Sequence, residues 1–129
     1  MTDLLLDTHV ALWWLAGDAR LTTRLRDLVV SANAARVSSA STWEVAIKIA
    51  IGKLELTLDA GMSFPSVCAQ QGFRLTAIEH EDAWAVVDLA PSRADPFDRL
   101  IAATARRRGW TVVSADPVFT ELGVPVIGP

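Results

Sequence analysis

Leu4-Leu5-Leu6-Asp7 is an unbroken apolar run that ends on a single acid. Three consecutive leucines leave no polar side to turn toward water, so the run reads as a strand buried on both faces, as in a parallel sheet. Thr111-Val112-Val113, followed by Ser114-Ala115-Asp116, repeats the arrangement far along the chain. Between these two runs, short apolar segments alternate with stretches of helical period, the pattern of an α/β fold with a parallel sheet.

Working outward, residues 9–15 and 21–32 read as helices, and 36–38 as a second strand. Residues 41–51 form a helix that Gly52 stops. Residues 53–56 fit neither period. A helix over 63–71 ends at Gly72, a third strand covers 73–78, and a helix over 81–89 stops near Pro91. The helix over 96–108 ends at Gly109, 111–113 is the fourth strand, and 124–127 a short fifth.

A chain of 129 residues with 51% hydrophobic side chains suits one compact domain with a sizeable core, and excludes disorder as the main state. Cys68 is the one cysteine, so neither an internal disulfide nor a cysteine-cluster zinc site is available, and a reducing compartment follows. Cys68 itself reads as a small packed hydrophobe. The N-terminus lacks a signal-peptide pattern and no apolar run reaches membrane-spanning length, so a cytoplasmic protein with no membrane partner is expected. The net charge of -3 runs against nucleic-acid binding, which usually shows a basic excess. Neutralisation of a cluster of acids by a cation, and a local basic group such as Arg106-Arg107-Arg108, would offset it.

Four acids sit where helices begin. Asp7 follows the first strand. Ser41-Thr42-Trp43-Glu44 has the spacing of a capping box. In Asp95-Pro96-Phe97-Asp98, Asp95 stands at a cap, Pro96 at the first helical position and Asp98 in the first turn. Asp116-Pro117 opens a short helix. Each acid alone is explained by capping, at about 1 kcal/mol, or by the helix dipole. As a set they share one edge, because ligands of parallel α/β sheets bind beyond the carboxyl ends of the strands. Asp98 also heads an apolar stripe with Ile101, Ala102 and Ala105, and Glu44 heads one with Ile47 and Ile51, which is not how solvated acids are placed. Lys48 stands one turn after Glu44, at ion-pair spacing.

Carboxylates gathered in one cleft repel, and at least one takes up a proton unless a cation compensates. Oxygen-only ligands select hard cations, chiefly Mg²⁺ or Mn²⁺, and such ions favour phosphate substrates. Phosphodiester hydrolysis is the chemistry that follows, through a bound water of lowered pKa.

These motifs resemble one family. Leu4-Leu5-Leu6-Asp7-Thr8-His9, the segment from Ser38 to Lys48, the segment from Asp95 to Ala105 and Val112-Val113-Ser114-Ala115-Asp116 resemble, in order, the acidic motifs of PIN domains. The third is similar above all to the VapC-type ribonuclease toxins of toxin–antitoxin systems. The resemblance spans nearly the whole chain and implies a three-layer α/β/α fold over residues 1–129 as a single domain. It implies endoribonuclease activity, with Asp7, Glu44, Asp98 and Asp116 catalytic, and Asp7, Asp98 and Asp116 as ligands of Mg²⁺ or Mn²⁺. Ser114 matches a hydroxyl position that orients the acids or the substrate. Thr8 either does the same or caps its helix. Asp95 reads first as a cap and second as a site residue. The resemblance further implies an RNA substrate, a homodimer, and a cognate antitoxin whose C-terminal segment crosses the active-site groove.

Other side chains have plainer readings. His9 reads as a helix-start residue beside the site, and His80 as a surface cap among Glu79, Glu81 and Asp82. Arg99 either pairs with Asp95 or approaches phosphate. Arg106-Arg107-Arg108 suits the dipole at a helix end. Lys48 and Lys53 are better placed for RNA. Trp13 and Trp14 cannot share one helix face, so one is core and the other core or interface. Two other functions compete. A haloacid-dehalogenase-like phosphatase needs an acid two residues after Asp7, where His9 stands, and a receiver-type phosphoacceptor lacks its acidic pair. A non-catalytic binding module would not need the full acid set.

Overall fold

The computed structural model describes residues 2–129. Its strands are β1 (Asp3–Leu6), β2 (Ala34–Ser38), β3 (Arg74–Thr76), β4 (Thr111–Val113) and β5 (Val126–Ile127). Its helices are α1 (Thr8–Ala16), α2 (Thr23–Ser31), α3 (Ser39–Ala50), α4 (Phe64–Gln70), α5 (His80–Trp84), α6 (Pro96–Arg108) and α7 (Val118–Glu121), with a 3₁₀ turn over Ala85–Asp88. The strands form one sheet in the order β3-β2-β1-β4-β5, every pair parallel. The chain winds outward from β1 through β2 to β3, then crosses back to lay β4 against the other side of β1. The carboxyl ends of β1 and β4 therefore flank the switch point, where parallel sheets leave a crevice.

Strand alternation divides the core into two layers. Leu4 and Leu6 pack on one face with Val10 of α1, Leu25 of α2 and Cys68 of α4. Leu5 and Val112 pack on the other with Ile101, Ala102 and Ala105 of α6 and Phe119 of α7. Helix α3 serves both, through Val45 and Ala40. The sandwich of helices, sheet and helices is the expected one. Cys68 is buried and free, and burial pushes its thiol up to about 11, so it packs as a hydrophobe. Trp13 and Trp14 both pack half-buried against the first layer. Among the described residues no helix is long and apolar enough to cross a membrane.

Element boundaries shift by one to three residues where capping decides them. Helix α3 starts at Ser39 rather than Ser41, because the Ser38 hydroxyl accepts from the Ala40 amide. The capping box expected at Ser41 and Glu44 does not form, and Glu44 falls in the second turn. The apolar stripe expected below Glu44 also ends early, since Ile51 is exposed past the helix end. The helix expected over 81–89 breaks after Trp84 into the 3₁₀ turn. Residues 53–56 adopt no regular structure, yet Leu54 and Leu56 pack on the core.

The last turn of α6 is fixed by an acid from α5. Asp82 is fully buried and accepts from Arg107 Nε at 2.8 Å, from the Arg108 guanidinium and from the Glu79 amide. Burial alone would raise its pKa, but these donors outweigh it and hold the carboxyl near 2. Arg107 and Arg108 thus do more than meet the helix dipole, and His80 is not the cap, a place Glu79 takes. Removing one partner of such a buried pair costs roughly 3 kcal/mol or more. Asp82→Ala should lower the melting temperature by about 10 °C in a calorimetric scan at pH 7. The depressed pKa adds stability that is whole above pH about 4 and drains away toward pH 2, so the variant should show a shallower acid limb.

Candidate active site

Asp7 occupies the N-cap position of α1, yet its side chain makes no cap hydrogen bond. Its carboxylate is spent elsewhere. Ser114 Oγ, at the end of β4, donates to Asp7 Oδ2 at 2.8 Å, and the Asp7 amide donates to the Val113 carbonyl. The residue is 3% exposed. Burial raises its pKa above the ordinary carboxylate value, and Glu44 pushes the same way against the Ser114 hydrogen bond. A capping explanation therefore does not apply to Asp7.

Glu44 is 2% exposed on α3. Lys48 Nζ donates to its Oε2 at 2.7 Å. Its other oxygen, Oε1, is buried with no hydrogen-bond partner, the one such side-chain atom among the described residues. A buried polar atom left unpaired typically costs about 1–3 kcal/mol, so its retention calls for an explanation in chemistry.

Asp98 begins the buried stripe Ile101, Ala102 and Ala105 of α6, as its spacing predicts. Its carboxyl is pushed up to about 7, first by burial, then by the charges of Asp95, Asp7, Glu44 and Asp116 in that order. Acids from four other places in the chain thus act on one group, and among the described residues no ion pair offsets them at Asp98. Asp116 is exposed after β4, where its Oδ1 accepts from the Val118 amide and its own amide donates to Ser114 Oγ at 3.0 Å. Ser114 consequently ties the loops of Asp7 and Asp116 together. Asp98 and Asp116 line one open cleft of about 390 Å³ with Arg93, Asp95, Pro117 and Glu121.

The neighbouring residues sort themselves by their contacts. Asp95 is the cap of α6, its Oδ1 accepting from the Asp98 amide at 2.8 Å. Thr8 is not a cap. Its hydroxyl donates to Ser41 Oγ at 2.8 Å, both groups buried, and so fixes the start of α1 to the first turn of α3. Arg99 neither pairs with Asp95 nor enters the cleft, but donates to the carbonyls of Ser92 and Ala94. Lys53 lies away at the exposed end of α3, and exposed His9 has its Nδ1 4.0 Å from Asp7 Oδ2. Sequence reasoning missed Ser41, Arg93 and Glu121 as site residues. Ser41 was hidden by its apparent cap role, and the other two carry no pattern of their own.

The donor set fits a hard divalent cation in chemistry: carboxylate oxygens only, one of them orphaned, around a group whose charge lacks compensation. No three Asp, Glu, His or Cys side chains among the described residues are already arranged to hold a metal ion.

Comparison with known proteins places this geometry in context. The family model of the PIN domain matches residues 4–125. Ribonuclease VapC22 of Mycobacterium tuberculosis is 34% identical over 117 residues, covering 90% of this chain and 88% of the relative. Among solved structures, VapBC2 from Rickettsia felis bound to a promoter DNA fragment aligns with a TM-score of 0.71 at 12% identity over 98% of both chains. FitAcB from Neisseria gonorrhoeae aligns at 0.65 with 22% identity over 96% of both chains. The two structures speak to the fold.

The raised Asp98 pKa has a signed consequence. Between pH 4 and 7 the folded state binds a proton that the unfolded chain releases, so stability falls as pH rises through that window. In EDTA buffer at pH 8, Asp98→Asn should melt above wild type by on the order of 5 °C, after allowance for solvent screening, and the gap should close near pH 4. Differential scanning fluorimetry across pH reads this directly.

Proposed function

The chain belongs to the PIN domain family, in its VapC branch, and on that premise we propose that it is a metal-dependent endoribonuclease, the toxin of a toxin–antitoxin pair. The observation that carries the reading is the convergence of Asp7, Glu44, Asp95 and Asp116 on Asp98, whose charges add to burial in pushing its carboxyl up to about 7. A surface cluster of caps would have no reason to keep that repulsion.

In this reading Asp7, Asp98 and Asp116 would hold a Mg²⁺ or Mn²⁺ ion. The bound ion would supply Lewis acidity toward the scissile phosphate and lower the pKa of a water. The chain's own groups do the rest. Ser114 holds the Asp7 carboxylate in place and anchors the Asp116 loop. Lys48 occupies Glu44 Oε2, which leaves Oε1 as a free acceptor for a proton from the attacking water. Thr8 and Ser41 keep α1 and α3, and with them Asp7 and Glu44, at fixed separation. Asp95 sets the start of α6 and adds to the negative charge that attracts a cation.

An antitoxin partner belongs to the same reading, supported by the VapBC2 structure among the solved neighbours. An inhibitory segment would lie over the acid crevice. A homodimer is supported by exposed apolar side chains at α3, Trp43 within it and Ile51 just past its end, which are 56% and 58% exposed. Residues 1–129 would form the single catalytic domain.

The test is cleavage of labelled single-stranded RNA. Wild type with Mg²⁺ or Mn²⁺ should cut, EDTA should abolish cutting, and Asp7→Ala or Asp98→Asn should lower kcat/KM by at least about 100-fold, typical for a lost electrostatic contribution to the transition state. Absence of metal-dependent cutting across unstructured, transfer, messenger and ribosomal RNA would overturn the reading.

A further inference from the structure

Arg93 stands apart from the other arginines near the acids. It is exposed on the loop before α6, lines the cleft that holds Asp98 and Asp116, and makes no hydrogen bond or ion pair among the described residues. Four carboxylates line the same cleft, those of Asp95, Asp98, Asp116 and Glu121, yet none is paired with it. A guanidinium stays charged at every relevant pH and offers planar donors suited to phosphate oxygens. The cleft therefore combines an acidic floor with one uncommitted cation.

The loop that carries Arg93 is held from both sides. Arg99, one turn into α6, donates to the carbonyl of Ser92 and, through Nε at 3.0 Å, to that of Ala94. These are the two residues that flank Arg93. The Ala94 amide donates in turn to Ser92 Oγ at 3.1 Å, and Asp95 fixes the far end by capping α6. A charged, half-buried side chain is thus committed to two backbone carbonyls whose effect is to fix the residue between them. An isolated surface arginine would not need that support.

We propose that Arg93 is a substrate-binding residue that contacts a phosphate of the nucleic-acid strand beside the acids, and that Arg99 is the positioning residue that presents it. This rests on the ribonuclease reading. It also answers the overall negative charge of the chain, because one fixed cation beside the acids bridges the strand to the cleft without a basic surface. A cation bound by a flexible loop would lose more conformational freedom on contact, which is what the clamp by Arg99 avoids.

The experiment is fluorescence anisotropy of a labelled single-stranded RNA on the Asp7→Ala protein, which separates binding from cutting, over a series of salt concentrations. Adding Arg93→Gln should weaken binding about 10-fold and lower the slope of log affinity against log salt by about 0.7, the signature of one phosphate contact to a single strand. Arg99→Gln should produce the same loss in part, and the double variant should be no weaker than Arg93→Gln alone. On the cutting-competent protein, Arg93→Gln should raise KM with kcat little changed. An unchanged salt slope in Arg93→Gln would overturn the proposal, as would additive effects of the two substitutions. Loss of binding to an acidic peptide with RNA binding intact would do so too. Because the binding arm uses a cleavage-dead background, failure of the ribonuclease reading shows up separately, as a wild type that binds RNA but does not cut it.

Discussion

Everything in this molecule is arranged around a repulsion. Four carboxylates, from the ends of β1 and β4 and from α3 and α6, press on one another at the switch point of a parallel sheet. Their charges add to burial at Asp98, whose carboxyl is pushed up to about 7. Repulsion of this kind opposes folding, so its survival requires that the acids be useful together. The fold supplies the means: β1 and β4 are adjacent, both end at the same edge, and the helix starts of α3 and α6 are brought to it.

The support around the acids follows from that constraint. Each buried oxygen has to be either satisfied or left free for a purpose. Ser114 satisfies one Asp7 oxygen and Lys48 one Glu44 oxygen, while Glu44 Oε1 remains open. The hydroxyl pair of Thr8 and Ser41 stiffens the junction of α1 with α3, where looser packing would let the like charges drift apart. Away from the site, the compensating logic is ordinary. Asp82 is buried too, but two arginines meet it and its pKa falls rather than rises. The contrast between Asp82 and Asp98 separates a structural acid from a candidate functional one better than burial does.

Much of this was legible in the residues. Leu4-Leu5-Leu6 and Thr111-Val112-Val113 announced buried parallel strands because apolar runs without alternation have few other homes, and Asp95-Pro96 with Gly109 marked both ends of α6. The acids' convergence followed from the sheet's polarity. What the chain did not announce were the contacts that depend on tertiary partners. Ser38 outcompeted Ser41 for the cap of α3 because β2 ends at Ser38, which turned Glu44 from a first-turn acid into a buried one. Arg99 found backbone carbonyls five and seven residues earlier instead of the carboxylate of Asp95, since the loop folds back over the helix start. Arg107 and Arg108 looked like a dipole effect until Asp82 arrived from α5, while Arg106 reaches the Asp88 carbonyl.

The claim that the acids share one electrostatic field can be measured without substrate or metal. Carbon-13 NMR titration of the Asp98 side-chain carboxyl in EDTA should give a pKa near 7, falling clearly toward the ordinary value in Asp7→Asn and in Glu44→Gln. An Asp98 pKa near 4 that ignores both substitutions would mean that the acids do not meet, and the account built on their meeting would be wrong.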